Sequence, residues 1–401
     1  MNIDVVIAGA GIAGTAAAAL LGQAGFSVIV VDPGSVSAEP PPIADEVIDV
    51  DPRVSAISPA SQSVLEQVGA WALIPDAVRS AYSRMTVWER DGTGQIHFDA
   101  ADTSEQRLGH IIENRWLTYA LAQSVSTLAN VELCMNDSVA SFAWDADASR
   151  MNICLASKRQ LNAALLIGAD GARSFIRSTA GIGVSEVDTG QTGIVSTVKC
   201  ELSHQRTAWQ NFLPTGPLAF LPLASDGVSK LCSIVWSAEN SLAEELMGLN
   251  DTDFCNQVGA ALEHRMGEVV AASTRYAFPL RQLHAHTYHG PGLALVGDAA
   301  HVIHPLAGQG INLGLADVRV LAEELRRGCK RGLSLSDSGV LARYQRRRKG
   351  ENELMLRAMT GFRVLFGSNN PGVRLLRNFG VQTVNDIKPL KLQFMRHAMG
   401  M

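Results

Sequence analysis

The amino-acid sequence predicts an α/β fold: a parallel nucleotide-binding sheet with helices, an inserted antiparallel sheet, and a C-terminal helical region. Three observations carry this. An apolar strand, Asp4 to Ala8, runs into Gly9-Ala-Gly11-Ile-Ala13-Gly14 and an apolar helix, Thr15 to Ala24, before a second strand, Val28 to Val31, ends in Asp32. Two later strands also run into acidic turns, at Ile167-Gly-Ala-Asp170-Gly171 and at Leu295-Val-Gly-Asp298. Between them, over residues 189–277, short runs alternate apolar and polar residues, the period of half-buried strands.

Taken in order, the opening is a Rossmann-like dinucleotide fingerprint. Gly9 serves the turn, Gly11 the approach of a pyrophosphate, Gly14 the helix packing, and Asp32 a ribose hydroxyl. Nicotinamide and flavin dinucleotides both fit at this point. Ser35 to Asp51 contains three prolines in a row and no hydrophobic period, so it reads as a surface loop. Arg53 stands ahead of a helix near Gln62 to Gly69, where it can reach a phosphate, a flavin edge or a surface carboxylate. Met85 to Phe98, broken by Asp91-Gly92, predicts a β-hairpin, and Glu113-Asn114-Arg115-Trp116 starts a helix through Leu128. Val131 to Cys134 and Met151 to Leu155 read as a strand pair.

The strand at Ala164 to Ile167 delivers Asp170 to a strand end, with Arg173 and Ser174 at a helix start; Asp170 serves either a cofactor or the helix N-terminus as a cap. The inserted sheet is expected from strands Gly193 to Glu201, Trp209 to Leu213, Leu218 to Pro222 and Lys230 to Trp236, followed by one helix from Asp251 to Gly267. Tyr276 to Leu280 crosses back, and His284, His286 and His289 are expected in a loop before strand Leu293 to Val296.

The stretch Leu295 to Gly314 organises the rest. Asp298 sits at the carboxyl end of a strand, where open α/β sheets bind ligands. Pro305 removes a donor, Gly308 and Gly310 let the chain lie flat against a planar ligand, and a helix opening at Gly310 points its free N–H groups back at that ligand. His301 and His304 are three apart, but a metal there would collide with this ligand, so no metal is expected and both histidines read as ordinary loop residues.

The expected division is a nucleotide-binding domain at 1–80, 105–188 and 278–340, a second domain at 81–104 and 189–277, and helices at 341–401. Hydrophobic residues make up 47% of the 401, enough for a sizeable core, yet no run suggests a spanning helix or signal peptide. Six scattered cysteines form no C-x-x-C pair, which argues for reduced thiols and a cytoplasmic protein. The net charge of −5 hides a basic tail: residues 341–401 hold twelve Lys or Arg against three Asp or Glu. The tail lacks the aromatic interleaving of a nucleic-acid module. Met355, Met359, Phe362 and Phe366 share a helical face that packs on the protein in preference to a membrane.

These signatures together resemble the class A flavoprotein monooxygenases, the group of para-hydroxybenzoate hydroxylase. More narrowly, Arg53-Val-Ser-Ala-Ile-Ser58, Glu113-Asn-Arg115, the stretch from Gly297 to Gly314, and tail segments such as Tyr344-Gln-Arg-Arg-Arg-Lys349 are similar to the ubiquinone-biosynthesis hydroxylases. The resemblance implies FAD, reduced by NADPH or NADH and reoxidised by O₂ to a C4a-hydroperoxide that hydroxylates a polyprenylated phenol. It implies cofactor contacts from Gly9, Gly11, Ala13, Gly14, Asp32, Arg53, Arg115, Asp170, Gly171, Asp298, Ala307, Gly308, Gly310, Ile311 and Asn312. Pro305, Gly308 and Gly310 would face the reacting flavin ring. Asp32 stands where a glutamate is more usual, shortening the reach to ribose. The same fold also serves hydroxylases of soluble aromatics, and flavin reductases or scaffolds without oxygenation. A substrate that lives in the bilayer implies a contact with the inner membrane face or a quinone-biosynthesis complex, for which Arg346 to Lys349 is the candidate.

Overall fold

The computed structural model describes residues 3–43, 50–90, 94–103, 105–224, 230–303, 310–367 and 392. The apolar run Ile3–Ala8 forms the centre of the first sheet because both its faces are covered. Val28–Asp32 lies parallel on one side and Gln160–Gly168 parallel on the other; Val131–Met135 and Leu293–Leu295 extend the sheet outwards in the same direction. The first connection is α1 (Ile12–Gln23), whose alanines 16–19 are buried against the sheet.

The expected pairing of Val131 to Cys134 with Met151 to Leu155 is corrected. The first joins Val28–Asp32 at the edge, while Arg150–Leu155 runs antiparallel between Gln160–Gly168 and a further strand, Val139–Asp145. That further strand went unread because its side chains are half-buried or exposed on both faces, leaving no alternation.

A three-stranded sheet, Val54–Ile57, Gly109–Glu113 and Ser80–Tyr82, stands beside α2 (Pro59–Gln67) and α3 (Asn114–Ser126). Ser58 caps α2 by accepting the Ser61 N–H, which starts the helix three residues before the sequence pattern does. Buried His110 in this sheet meets Trp71 edge-on at 4.9 Å, with its Nε2 3.1 Å from Arg107. Burial, then Arg107 and Arg79, lowers its pKa from 6.5 to about 4. The unfolded chain therefore takes up a proton below pH 6.5 that the folded chain refuses until about pH 4, so this group costs stability as pH falls through that window. We expect His110→Phe to lose less stability than the natural chain between pH 7 and 4.5, by roughly 2–3 kcal/mol in urea unfolding. Parallel pH profiles would contradict the assignment.

The acidic turn after Gln160–Gly168 leads into the short α4 (Phe175–Thr179). The second sheet is larger, and its spine is Val184–Cys200, flanked antiparallel by Leu231–Glu239 and Tyr276–Ala285. Gly216–Pro222, Thr207–Leu213, Arg84–Glu89 and Gln95–Asp99 continue it, the hairpin of the last two arising as expected. Alternation along the strands splits two layers. Ile194, Val198, Phe220 and Trp236 face the helices α5 (Asn240–Gly248) and α6 (Asp251–Ala261), whereas Val195, Ala219, Leu221 and Val235 pack towards Ala56, Tyr82 and Ile111.

The helix expected over 251–267 is α6, which ends already at Ala261 and is capped where Asn250 accepts the Asp253 N–H at 2.9 Å; α5, just before it, was not expected. Tyr276 to Leu280 is likewise no simple crossing. It is the first half of a ten-residue strand, so His284 lies on a strand and not in a loop. His289 begins the two-residue strand His289–Gly290.

The chain ends in two long helices, α7 (Gly310–Cys329) and α8 (Ser338–Gly367), packed on each other. Buried Glu324 holds them together through Arg343 at 3.1 Å and Arg347 at 2.9 Å. Of the basic run, Arg347 pairs with Glu323 and Glu324, Arg348 is buried, and Lys349 donates to the His286 carbonyl at 2.6 Å; Arg346 alone of the four is exposed with no ion pair to a described residue. These charges are thus spent mainly inside the protein. Met355 is half-buried, while the side chains of Met359, Phe362 and Phe366 lie outside the described residues. Among the described residues no helix is long and apolar enough to cross a membrane.

Candidate functional site

The three fingerprint glycines have different geometries. Gly9 adopts φ +106°, and a Cβ there would sit 2.4 Å from the Ala169 carbonyl oxygen. A Cβ on Gly14 would lie 1.9 Å from the Gly9 carbonyl oxygen, so helix and turn touch here only because Gly14 lacks one. Gly11 is the opposite case: it starts α1 with no side-chain cap, and a Cβ there would meet nothing within 4 Å. Its side of the turn is open, and the first N–H groups of α1 are available to an anion.

A second helix start converges on the same place. Ala13 of α1 touches both Gly297 and Gly314: a Cβ on Gly297 would come 3.2 Å from the Ala13 Cβ, and one on Gly314 3.4 Å from the Gly297 Cα. These small residues bring the N-termini of α1 and α7 to the turn Gly297–Ala299 that follows strand Leu293–Leu295. Two positive helix ends and a carboxylate therefore share one crevice. Asp298 is exposed there and accepts no hydrogen bond from any described residue. The protein packed beneath it raises its carboxyl above the ordinary value, against the pull of His301 and with a further push from Asp317. A free acceptor at a strand end, flanked by unfilled N–H groups, suits a ligand that offers hydroxyls and a phosphate.

Asp32 ends strand Val28–Asp32, which lies beside Ile3–Ala8 on the side away from Leu293–Leu295. Its carboxylate accepts the Ala10 N–H and the Gly34 N–H, each at 2.7 Å, which fixes it beside the glycine turn. The crevice thus presents, in order, a ribose-type acceptor, a phosphate-type helix end and a second acceptor further along.

The family described as FAD binding domain matches residues 2–358. The chain belongs to this family. It is similar to the 3-demethoxyubiquinol 3-hydroxylase of Escherichia coli, 37% identical over 399 residues, covering 99% of this chain and 98% of that one. The ubiquinone hydroxylase UbiL of Rhodospirillum rubrum is 35% identical, over 99% of this chain and 89% of its own. Among solved structures, PqsL from Pseudomonas aeruginosa, described as a probable FAD-dependent monooxygenase, superposes with a TM-score of 0.77 over 96% of this chain and 100% of that one; at 23% identity it shares the fold. The protein is an FAD-dependent monooxygenase of the α/β architecture in which a parallel sheet and a large antiparallel sheet meet.

The site residues expected for FAD fall into three groups. Gly9, Gly11, Ala13, Gly14, Asp32, Asp298, Gly310 and Ile311 gather around the crevice, Ile311 packing against the nucleotide-sheet core. Arg53, Arg115, Asp170, Gly171 and Asn312 have other engagements. Arg53 is exposed near Asp51 at 3.9 Å, and Arg115 pairs with Glu113 at 2.8 Å and reaches the Pro42 carbonyl at 3.2 Å. Burial raises the Glu113 carboxyl, opposed by the Asp51 N–H and Arg115. Asp170 accepts from Ser174 Oγ at 2.5 Å and from the Ile176 N–H at 3.0 Å, stabilising the start of α4, while Gly171 takes φ +79° in that turn. The Asn312 side chain donates to the Ala56 carbonyl at 2.7 Å and accepts the Ser58 N–H at 3.1 Å, tying α7 to the small sheet. The third group, Pro305, Ala307 and Gly308, lies outside the described residues, as does His304.

Two features were missed in the sequence. Arg177 is buried and donates to the Ala299 carbonyl at 2.9 Å and the Ala172 carbonyl at 2.8 Å, joining the Asp170 turn to the Asp298 turn. His301 is no ordinary loop residue: it is buried with its Nε2 2.6 Å from Asp317 of α7. An acidic residue among the apolar positions of α7, a feature shared with Glu324, was the signal for Asp317.

Proposed function

We propose that the protein hydroxylates the ring of a polyprenylated phenol in ubiquinone biosynthesis, consuming O₂ and NADPH or NADH. The observation that supports this most is Asp298, a carboxylate left free at the meeting point of two helix N-termini in a chain of the FAD-binding family. The demethoxyubiquinol and ubiquinone hydroxylases of Escherichia coli and Rhodospirillum rubrum, matched over nearly all of this chain, support this substrate class.

The residues present fit FAD: glycines that leave room for a pyrophosphate at Gly11, and acceptors at both ends of the crevice. Bound FAD, reduced by a nicotinamide, supplies the activation of O₂. Asp32 would take the ribose and Asp298 the ribitol hydroxyls, fixing the flavin's long axis. The N–H groups of Gly310 and Ile311 would stabilise negative charge on the flavin's pyrimidine side. Pro305, Gly308 and Gly310 are assigned to the flavin ring, and Ala307 to a further cofactor contact, on the resemblance of the sequence. The layer of Val195, Ala219, Leu221 and Val235 gives an apolar wall on the side of the small sheet, suited to excluding water from an aromatic ring.

Asp298→Ala should weaken FAD binding by about 1–3 kcal/mol, roughly five- to hundredfold, because the ribitol hydroxyls lose their acceptor. Fluorescence titration of the apoprotein measures it, and an unchanged affinity would remove the assignment. The function itself is tested by the quinone precursors of a strain lacking the gene. An under-hydroxylated polyprenyl phenol should accumulate and disappear on complementation; an unaltered quinone profile counts against the reading.

A further inference from the structure

We propose that Asp317 is a positioning residue for the flavin site, acting through the Gly297–Asp298 turn, and that Arg348 and Asn352 make α8 a part of that site. The proposal rests on the assignment of Asp298 to the flavin ribitol. Asp317 is fully buried on α7, yet all its acceptor capacity is used. Oδ2 takes the Gly297 N–H at 3.1 Å and His301 Nε2 at 2.6 Å; Oδ1 takes Arg348 Nε at 2.8 Å and Asn352 Nδ2 at 3.2 Å.

A carboxylate that only docked two helices would need Arg348 alone. This one also grips the residue just before Asp298 and a residue three after it. The Ala300 N–H donates to the Gly297 carbonyl at 2.8 Å, closing the turn between those two anchors. Gly297 itself is at φ +59°, a conformation in which the peptide N–H points back at Asp317 and the next side chain turns to the crevice.

The remaining contacts explain why the carboxylate stays charged. Burial alone would raise it, but His301 and Arg348 outweigh burial and hold it below its ordinary value. Arg348 is in turn fixed by Asn352 Oδ1 at 2.8 Å and by Glu351. Asn352 reaches Tyr288 Oη at 3.2 Å, and that hydroxyl lies 2.9 Å from His284 Nε2. The network therefore runs from the crevice to the strand under α8 without a gap, and each member restricts the next. The Glu324 cluster joins the same two helices but touches nothing in the turn, which makes it the natural control.

The test is a double-mutant cycle on FAD affinity, measured by flavin fluorescence on the full chain. Asp317→Asn should weaken FAD about tenfold in the natural background and less than about threefold in the Asp298→Ala background, because the carboxylate acts through Asp298. Glu324→Gln should lower the unfolding midpoint yet leave FAD affinity within about twofold. Equal weakening in both backgrounds, no weakening by Asp317→Asn, or an equal effect of Glu324→Gln overturns the proposal. If Asp298→Ala alone leaves FAD affinity unchanged, the ribitol assignment fails and the positioning role falls with it, a signature separate from the others. His301→Leu leaves the Asp317–Arg348 pair intact and runs the same cycle with a milder change. The same shrinkage is expected, and additive effects would again overturn the role.

Discussion

A Gly14→Val chain loses FAD and unfolds at lower urea concentration. The first added carbon would lie 1.9 Å from the Gly9 carbonyl oxygen and 3.2 Å from the Ala169 Cβ, and both neighbours belong to the sheet's central strands or their turns. Neither is the far end of a flexible side chain, so α1 must move away from the sheet. Overpacking of this kind costs typically 1–3 kcal/mol. The better helix propensity of valine over glycine returns only a few tenths of a kcal/mol against it. A displaced α1 also takes its N–H groups from the pyrophosphate position, for an affinity loss on the order of a hundredfold. Gly11→Ala separates the two effects. Its Cβ meets nothing within 4 Å, so stability should stay within about 0.5 kcal/mol while FAD binding falls. Normal FAD binding by Gly14→Val would show that the strand–turn–helix does not carry the cofactor.

Arg348→Met should cost roughly 3–5 kcal/mol of unfolding free energy, the largest loss expected from any surface-remote substitution in the C-terminal helices. The reason is the charge left behind. Asp317 is fully buried and would keep only His301, Asn352 and a peptide N–H as partners. Methionine fills the volume but offers no donor, so the penalty is one of desolvation and not of packing. Removing the charge as well, in an Arg348→Met and Asp317→Asn double variant, should recover part of the loss, since the sum of the single effects counts the same interaction twice. Urea unfolding of the FAD-loaded protein measures both. A cost below about 1 kcal/mol for Arg348→Met would place the pair among surface-type salt bridges.

The parts of the fold that could be read from the sequence are those whose cause is local. Gly14 is required by its close approach to the Gly9 carbonyl five residues earlier, and Asp298 is placed by the strand just before it. The same holds for α7, which opens at Gly310 as expected. What escaped notice depends on distant chain segments. Asp317 meets His301 across 16 residues and Arg348 across 31, and only the hairpin of α7 on α8 brings them together. The spine strand Val184–Cys200 was read from residue 193 onwards because its first seven residues are mostly exposed and show no alternation. Arg346 to Lys349 looked like a solvated or membrane-facing run, yet Arg348 is buried because the helix turns it onto Asp317. Asn312 stood in a motif that resembles a cofactor loop, but its amide is taken by the backbone at 56 and 58.

The proposed reaction is the transfer of one oxygen atom from O₂ to a phenol ring. It is tested most directly by turnover of the FAD-loaded protein with NAD(P)H and a short-chain polyprenyl phenol under ¹⁸O₂, followed by mass spectrometry of the product. A single ¹⁸O atom is expected in each hydroxylated ring, formed with the oxidation of one nicotinamide. NAD(P)H oxidation with an unlabelled product, or with no ring hydroxylation at all, would contradict it.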